Sequence, residues 1–204
     1  MAAISRLAAG SAVVVVSMVA LFALPREYFV VMTFVSTTCM LAAALALGLR
    51  APAQLRYAAV AVGLASAALL YLVFLLGGVA VDTLNPFGMT SASETSIYSL
   101  IASPSNPLYL QVGLLLFDSA GFESFFRGVV QERLQKRMGV GAAPVVALLD
   151  ASIHVVTLNP LWVGATFATD LVWGVTYFYG RGLQASFASH FIWDLAIFIV
   201  RPIV

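Results

Sequence analysis

A single cysteine, Cys39, stands in 204 residues, which excludes an internal disulfide and leaves the redox compartment without a marker. It lies inside an apolar run and reads as a small hydrophobic packing residue. Charge is just as scarce: 9% of residues are Asp, Glu, Lys or Arg, against 62% apolar. A water-soluble domain could not cover its surface with so few charges. The net charge of +1 comes with no basic, aromatic-rich patch, so nucleic acid is not expected as a partner. Only two histidines are present, and the H-E-x-x-H spacing of zinc proteases is missing.

What the chain has instead is long apolar stretches, several approaching or exceeding the roughly 20 residues that span a bilayer core. They predict an all-α fold: a polytopic transmembrane helical bundle forming a single membrane domain over 1–204. Seven spans are expected, at about 7–24, 29–49, 57–81, 108–130, 142–158, 161–179 and 183–200. The N-terminal stretch has a basic residue ahead of an apolar run, as a signal peptide does, but it is long and lacks a good A-x-A site. It reads as an uncleaved first span. Arg6, Arg50, Arg56, Arg133, Lys136, Arg137 and Arg181 fall on one side of this arrangement, and Arg26 and Arg201 on the other. That bias predicts a cytoplasmic N-terminus. The polar stretch 82–107 then faces outward, as a connector or, with a short interfacial helix near 93–101, as a cap over a site.

Ionisable residues are absent from the first three spans and concentrated in the last four: Asp118, Glu123, Arg127, Asp150, His154, Asp170, His190 and Asp194. Each charge at the bilayer centre costs about 2.5–3.5 kcal/mol on insertion scales, so the cluster calls for a shared polar interior. Residues 1–81 are then a three-helix packing collar, and 108–204 a four-helix core. Glu123 with Arg127, Asp150 with His154, and His190 with Asp194 are each four residues apart, and so lie on one helix face. Arg127 is expected to compensate Glu123 and hold it ionised. Asp118 and Asp170 have no partner at helical spacing and read as structural, Asp170 with the option of lining the cavity. Each pair alone could equally be a buried ion pair or a hydrogen-bonded core histidine. Together, carboxylates, a guanidinium and two imidazoles in a dry cavity have the means to activate water and stabilise an oxyanion.

In these residues the chain resembles the CPBP family of intramembrane proteases, which includes CAAX prenyl endopeptidases and abortive-infection proteins. The family pattern runs E-E-x-x-x-R-G, then F-x-x-x-H, then H-x-x-x-N or H-x-x-x-D on successive helices. This chain reads Phe122-Glu123-Ser124-Phe125-Phe126-Arg127-Gly128, then Asp150-Ala151-Ser152-Ile153-His154, then His190-Phe191-Ile192-Trp193-Asp194. The lead-in from Tyr179 to Ser186 is also similar, and the resemblance covers about 118–198. Two positions depart: Phe122 replaces the first glutamate, and Asp150 replaces the phenylalanine of the second motif. An exchange of roles between them would keep two carboxylates in the cavity.

The resemblance implies an endopeptidase that needs neither metal nor cofactor. Glu123 or Asp150, helped by His154, would take a proton from the attacking water. His190, oriented by Asp194, would donate to the oxyanion, and Arg127 would fix Glu123. Phe122, Phe125, Phe126 and Phe191 would line the substrate's route. It further implies a membrane protein or a lipidated peptide as substrate, the lipid bilayer as surroundings, and a bacterial plasma membrane as location. Three other readings stay open: a catalytically degenerate scaffold or chaperone, which Phe122 favours; a metal-dependent protease using His154, His190 and carboxylates; and a proton-coupled transporter.

Overall fold

The computed structural model of the chain describes residues 2–50, 52–84, 98, 100 and 106–202. The described residues form helices and turns. Three long helices open the chain: α1 (Ala2–Ala23), α2 (Phe29–Ala46) and α3 (Tyr57–Leu84). α4 (Leu108–Phe122) runs without a break into a π-helical segment, Glu123–Gln131, and then α5 (Glu132–Met138). α6 (Ala142–His154), α7 (Pro160–Tyr179) and α8 (Leu183–Asp194) follow, and a second π-helical segment, Leu195–Val200, extends α8. α3 continues to Leu84, three residues past its expected end at 81, and so takes in the start of the polar stretch expected from Asp82. The interfacial helix expected at 93–101 lies, apart from Tyr98 and Leu100, outside the described residues.

Local sequence explains the boundaries. Gly48, at φ 86°, takes the left-handed conformation that stops α2. α6 ends at His154 rather than continuing to Leu158, because a 3-10 turn over Val155–Thr157 leads into Leu158 at φ 54°. Asn159 then caps α7: its side-chain oxygen accepts from the backbone N–H of Leu161 and of Trp162, at 3.1 and 3.3 Å. Pro160 occupies the first turn, where no N–H is needed.

Outside and inside are reversed relative to a soluble protein. Leu64, Leu69, Leu72, Leu76 and Val79 of α3 are exposed, whereas Glu123, Arg127, Gln131, Asp150 and Asp170 are buried. Among the described residues, five stretches are long and apolar enough to cross a membrane: Ser5–Ala23, Arg26–Ala46, Tyr57–Val79, Leu108–Thr157 and Leu183–Val200. α7 is not among them; it carries Asp170 and packs in the interior. The chain is an all-α, polytopic membrane bundle.

Small residues set the helix spacings. A Cβ on Gly63 would collide with the carbonyl oxygen of Ala185 and come within 2.8 Å of Ala188 Cβ, so α3 lies directly against α8. Ser66 of α3 hydrogen-bonds Thr176 of α7 at 2.6 Å and accepts from Ser189 of α8 at 3.1 Å. At one end of the bundle Arg56 donates to the Arg181 carbonyl at 2.9 Å, and Arg133 to the Leu47 carbonyl at 2.6 Å. The basic turns therefore share an end.

Candidate active site

The π-helical segment carries the first pair. Its wider turn changes the register of side chains four apart, and Glu123, Phe125, Phe126, Arg127, Val129 and Gln131 are all buried. Arg127 does not rest mainly on Glu123 as expected. Its Nη2 donates to Asp170 Oδ1 at 2.5 Å and to the Asp170 carbonyl at 3.1 Å. The nearest approach to Glu123 is Nε to Oε2 at 3.7 Å. Gln131 continues the network, accepting from Arg127 at 3.5 Å and donating to the Gly174 carbonyl at 2.7 Å. Gly174 is required there: a Cβ would stand 2.8 Å from Ala143 Cβ and 2.9 Å from Gln131 Oε1. Asp170 is thus the main counter-ion of the buried guanidinium, a role its lack of a partner at helical spacing concealed.

Glu123 turns instead to α8. Its Oε1 lies 2.9 Å from His190 Nδ1, while Asp194 Oδ2 lies 3.4 Å from Nε2 of the same ring. A ring with a carboxylate at each nitrogen donates to both in its imidazolium form. Trp173 of α7 stacks on the His190 face, with ring centres 3.6 Å apart and planes 12° apart. Phe122 meets it edge-on at 5.2 Å. Asp194 also accepts a long bond of 3.4 Å from Ser119. The imidazole is therefore held on four sides.

His154 closes α6. Its Nδ1 is 3.1 Å from the Asp150 carbonyl oxygen and 3.7 Å from Asp150 Oδ2. Phe22 of α1 packs on its ring at 4.5 Å. Asp150 is 1% exposed, yet neither carboxylate oxygen has a hydrogen-bond partner among the described residues. An orphaned buried carboxylate is expensive, and its presence marks a position reserved for something other than packing.

Asp150, His154, His190 and Asp194 border one cavity of about 460 Å³. Glu123 and Arg127 do not border it; they stand behind the wall. Of the four phenylalanines expected along the route, Phe122 borders the cavity. Phe125 and Phe126 belong to the buried core, and Phe191 stacks on Phe187 at 6.2 Å. The first three helices are not an inert collar. Met18 and Phe22 of α1, Thr33 and Met40 of α2, and Val73 and Phe74 of α3 form part of the same wall. Thr37 of α2 donates to Asp118 at 2.9 Å, a contact hinted at only by the Thr33, Ser36 and Thr37 stripe in an otherwise apolar helix. Among the described residues, no three His, Cys, Asp or Glu side chains gather closely enough to hold a metal ion.

No curated protein and no solved structure matches the chain. Residues 104–196 match the family model described as type II CAAX prenyl endopeptidase Rce1-like. The match takes in α4 through α8, including Glu123, Arg127, Asp150, His154, His190 and Asp194. Through these residues the chain is similar to the Rce1-like family of CAAX prenyl endopeptidases.

Proposed function

We propose that the chain is an intramembrane endopeptidase that hydrolyses a peptide bond of a membrane-associated or lipidated protein. The observation that carries this reading is the meeting of Asp150, His154, His190 and Asp194, from two non-adjacent helices, on one cavity otherwise walled largely by apolar side chains. Asp150 is the base. It borders the cavity with both oxygens unpartnered, whereas Glu123 is committed to His190. Water gives a proton to the Asp150 carboxylate as its oxygen bonds to the scissile carbonyl carbon. His190 donates to the oxyanion from Nε2, whose N–H turns to it from the long 3.4 Å contact with Asp194; Glu123 holds Nδ1 and fixes the ring, as the carboxylate does in a triad. The proton then passes from Asp150, with His154 beside it, to the amine nitrogen as the C–N bond breaks. Arg127 neutralises Asp170 behind the wall.

The proposed setting is a bacterial plasma membrane with a cytoplasmic N-terminus, which the gathering of Arg56, Arg133 and Arg181 at one end supports. The test compares membrane proteomes of cells with the wild-type chain, with none, and with His154→Ala. Uncut precursors shared by the last two support proteolysis; a His154→Ala strain that matches wild type sinks it. A second reading, a catalytically degenerate membrane scaffold, has one observation in its favour. Phe122 stands where the family pattern has its first glutamate, packed on Phe126 at 4.5 Å and against His190. That reading predicts the wild-type outcome for His154→Ala.

A further inference from the structure

Asp118 is left without a task by this chemistry. It borders the cavity, one helical turn before Phe122 and on the same face. Its Oδ1 accepts from Thr37 at 2.9 Å, and no described residue bonds its other oxygen. Thr37 is fully buried and clamped: a Cβ on Gly121 would stand 2.5 Å from its methyl carbon and 3.0 Å from its carbonyl oxygen. The hydroxyl is thus fixed on one carboxylate oxygen, and the second is left to the cavity.

Apart from the His190 ring, already held between Glu123 and Asp194, the charge on the wall is negative. Asp118, Asp150 and Asp194 border the cavity, and no Lys or Arg does. The one guanidinium nearby, Arg127, is 0% exposed and bound to Asp170. Arg26 borders a separate, smaller cavity of about 270 Å³. Asp150 adds an independent pointer, since it is buried and neither oxygen has a hydrogen-bond partner among the described residues. A ligand that completes this wall brings hydrogen-bond donors and positive charge; a carboxylate would meet repulsion strengthened by the low dielectric.

We infer that Asp118, held by Thr37, is a specificity subsite for a basic side chain next to the scissile bond, so that the cavity selects peptide segments bearing Lys or Arg there and rejects acidic ones. This rests on the proteolytic reading above. A charge-assisted hydrogen bond from ammonium or guanidinium to the free oxygen supplies the recognition.

The experiment maps new N-termini in membranes of cells making the wild-type chain, His154→Ala, Asp118→Asn or Asp118→Glu. Cuts that depend on His154 define the substrates. Lys or Arg is expected beside those cuts at about threefold or more over background. The enrichment is expected to fall to background in Asp118→Asn and to persist in Asp118→Glu. Cuts that depend on His154 but carry no basic preference, or an acidic one, overturn the subsite and leave proteolysis standing. The wild-type cut sites alone decide this if Asp118→Asn does not accumulate. A complete lack of cuts dependent on His154 overturns the proteolytic reading and the subsite with it.

Discussion

Arg127 and Asp170, on the π-helical segment and α7, are joined side chain to side chain at 2.5 Å with both groups fully buried. The bond links two helices that Gln131 also joins through the Gly174 carbonyl, and the Asp170 carbonyl strengthens it. Removing one member of such a pair strands the other charge in a dry interior. Asp170→Ala is expected to cost about 3–5 kcal/mol. Unfolding of the purified chain in detergent checks this. Glu123→Gln, whose oxygen is 3.7 Å from the guanidinium, should unfold later than Asp170→Ala; the reverse order would restore Glu123 as the principal counter-ion.

Helix spacing gives a second prediction. Gly63→Val pushes a branched side chain into the Ala185 carbonyl and Ala188, where backbone cannot yield. Overpacking of this kind costs about 1–3 kcal/mol. Gly113→Ala is the matched control, since nothing lies within 4 Å of the added carbon; it is expected to be neutral or to stabilise by about 0.5–1 kcal/mol. Parallel melting curves separate the two, and equal losses would show that α3 and α8 are not held at that glycine.

The helices and the three polar pairs were legible because apolar run length and i, i+4 spacing are properties of the sequence itself. The pairing between helices was not. Asp170 lacks a partner four residues away, so nothing local marks it as the anchor of Arg127. The π-helical register that turns Glu123 toward His190 is set by packing and leaves no residue signature. Trp173, three residues after Asp170 on the same face, was readable as part of that face, but its stacking on His190 depends on how α7 crosses α8. The collar expectation failed for a related reason: apolar helices carry no charge to announce that Phe22 packs on His154, or that Thr37 serves Asp118.

Asp150→Asn separates chemistry from stability. The carboxylate has no hydrogen-bond partner among the described residues and only a 3.7 Å contact with His154, so the amide removes a poorly compensated buried charge, and the melting temperature is expected to hold or rise. Loss of a general base typically costs 10²–10⁴-fold in rate, and a drop in cleavage of about that size is expected. A variant that keeps full activity would pass the role of base to another carboxylate and end the exchange between Asp150 and Phe122.

Trp173 is the last position whose replacement discriminates between mechanism and packing. It covers the face of His190 at 3.6 Å, and its indole nitrogen has no hydrogen-bond partner among the described residues. Its contribution is therefore shape and contact, not a polar bond. Trp173→Phe keeps an aromatic shelf and is expected to retain most of the cleavage rate. Trp173→Leu keeps the site apolar but removes the flat surface, leaving the ring restrained only at its edges by Glu123, Asp194 and Phe122. The rate is expected to fall about tenfold with KM little changed, because an oxyanion donor out of line loses transition-state contact rather than ground-state binding. Nitrogen chemical shifts of the His190 ring report the same loosening independently of activity. If Trp173→Leu alters neither the rate nor those shifts, the indole is only filling space.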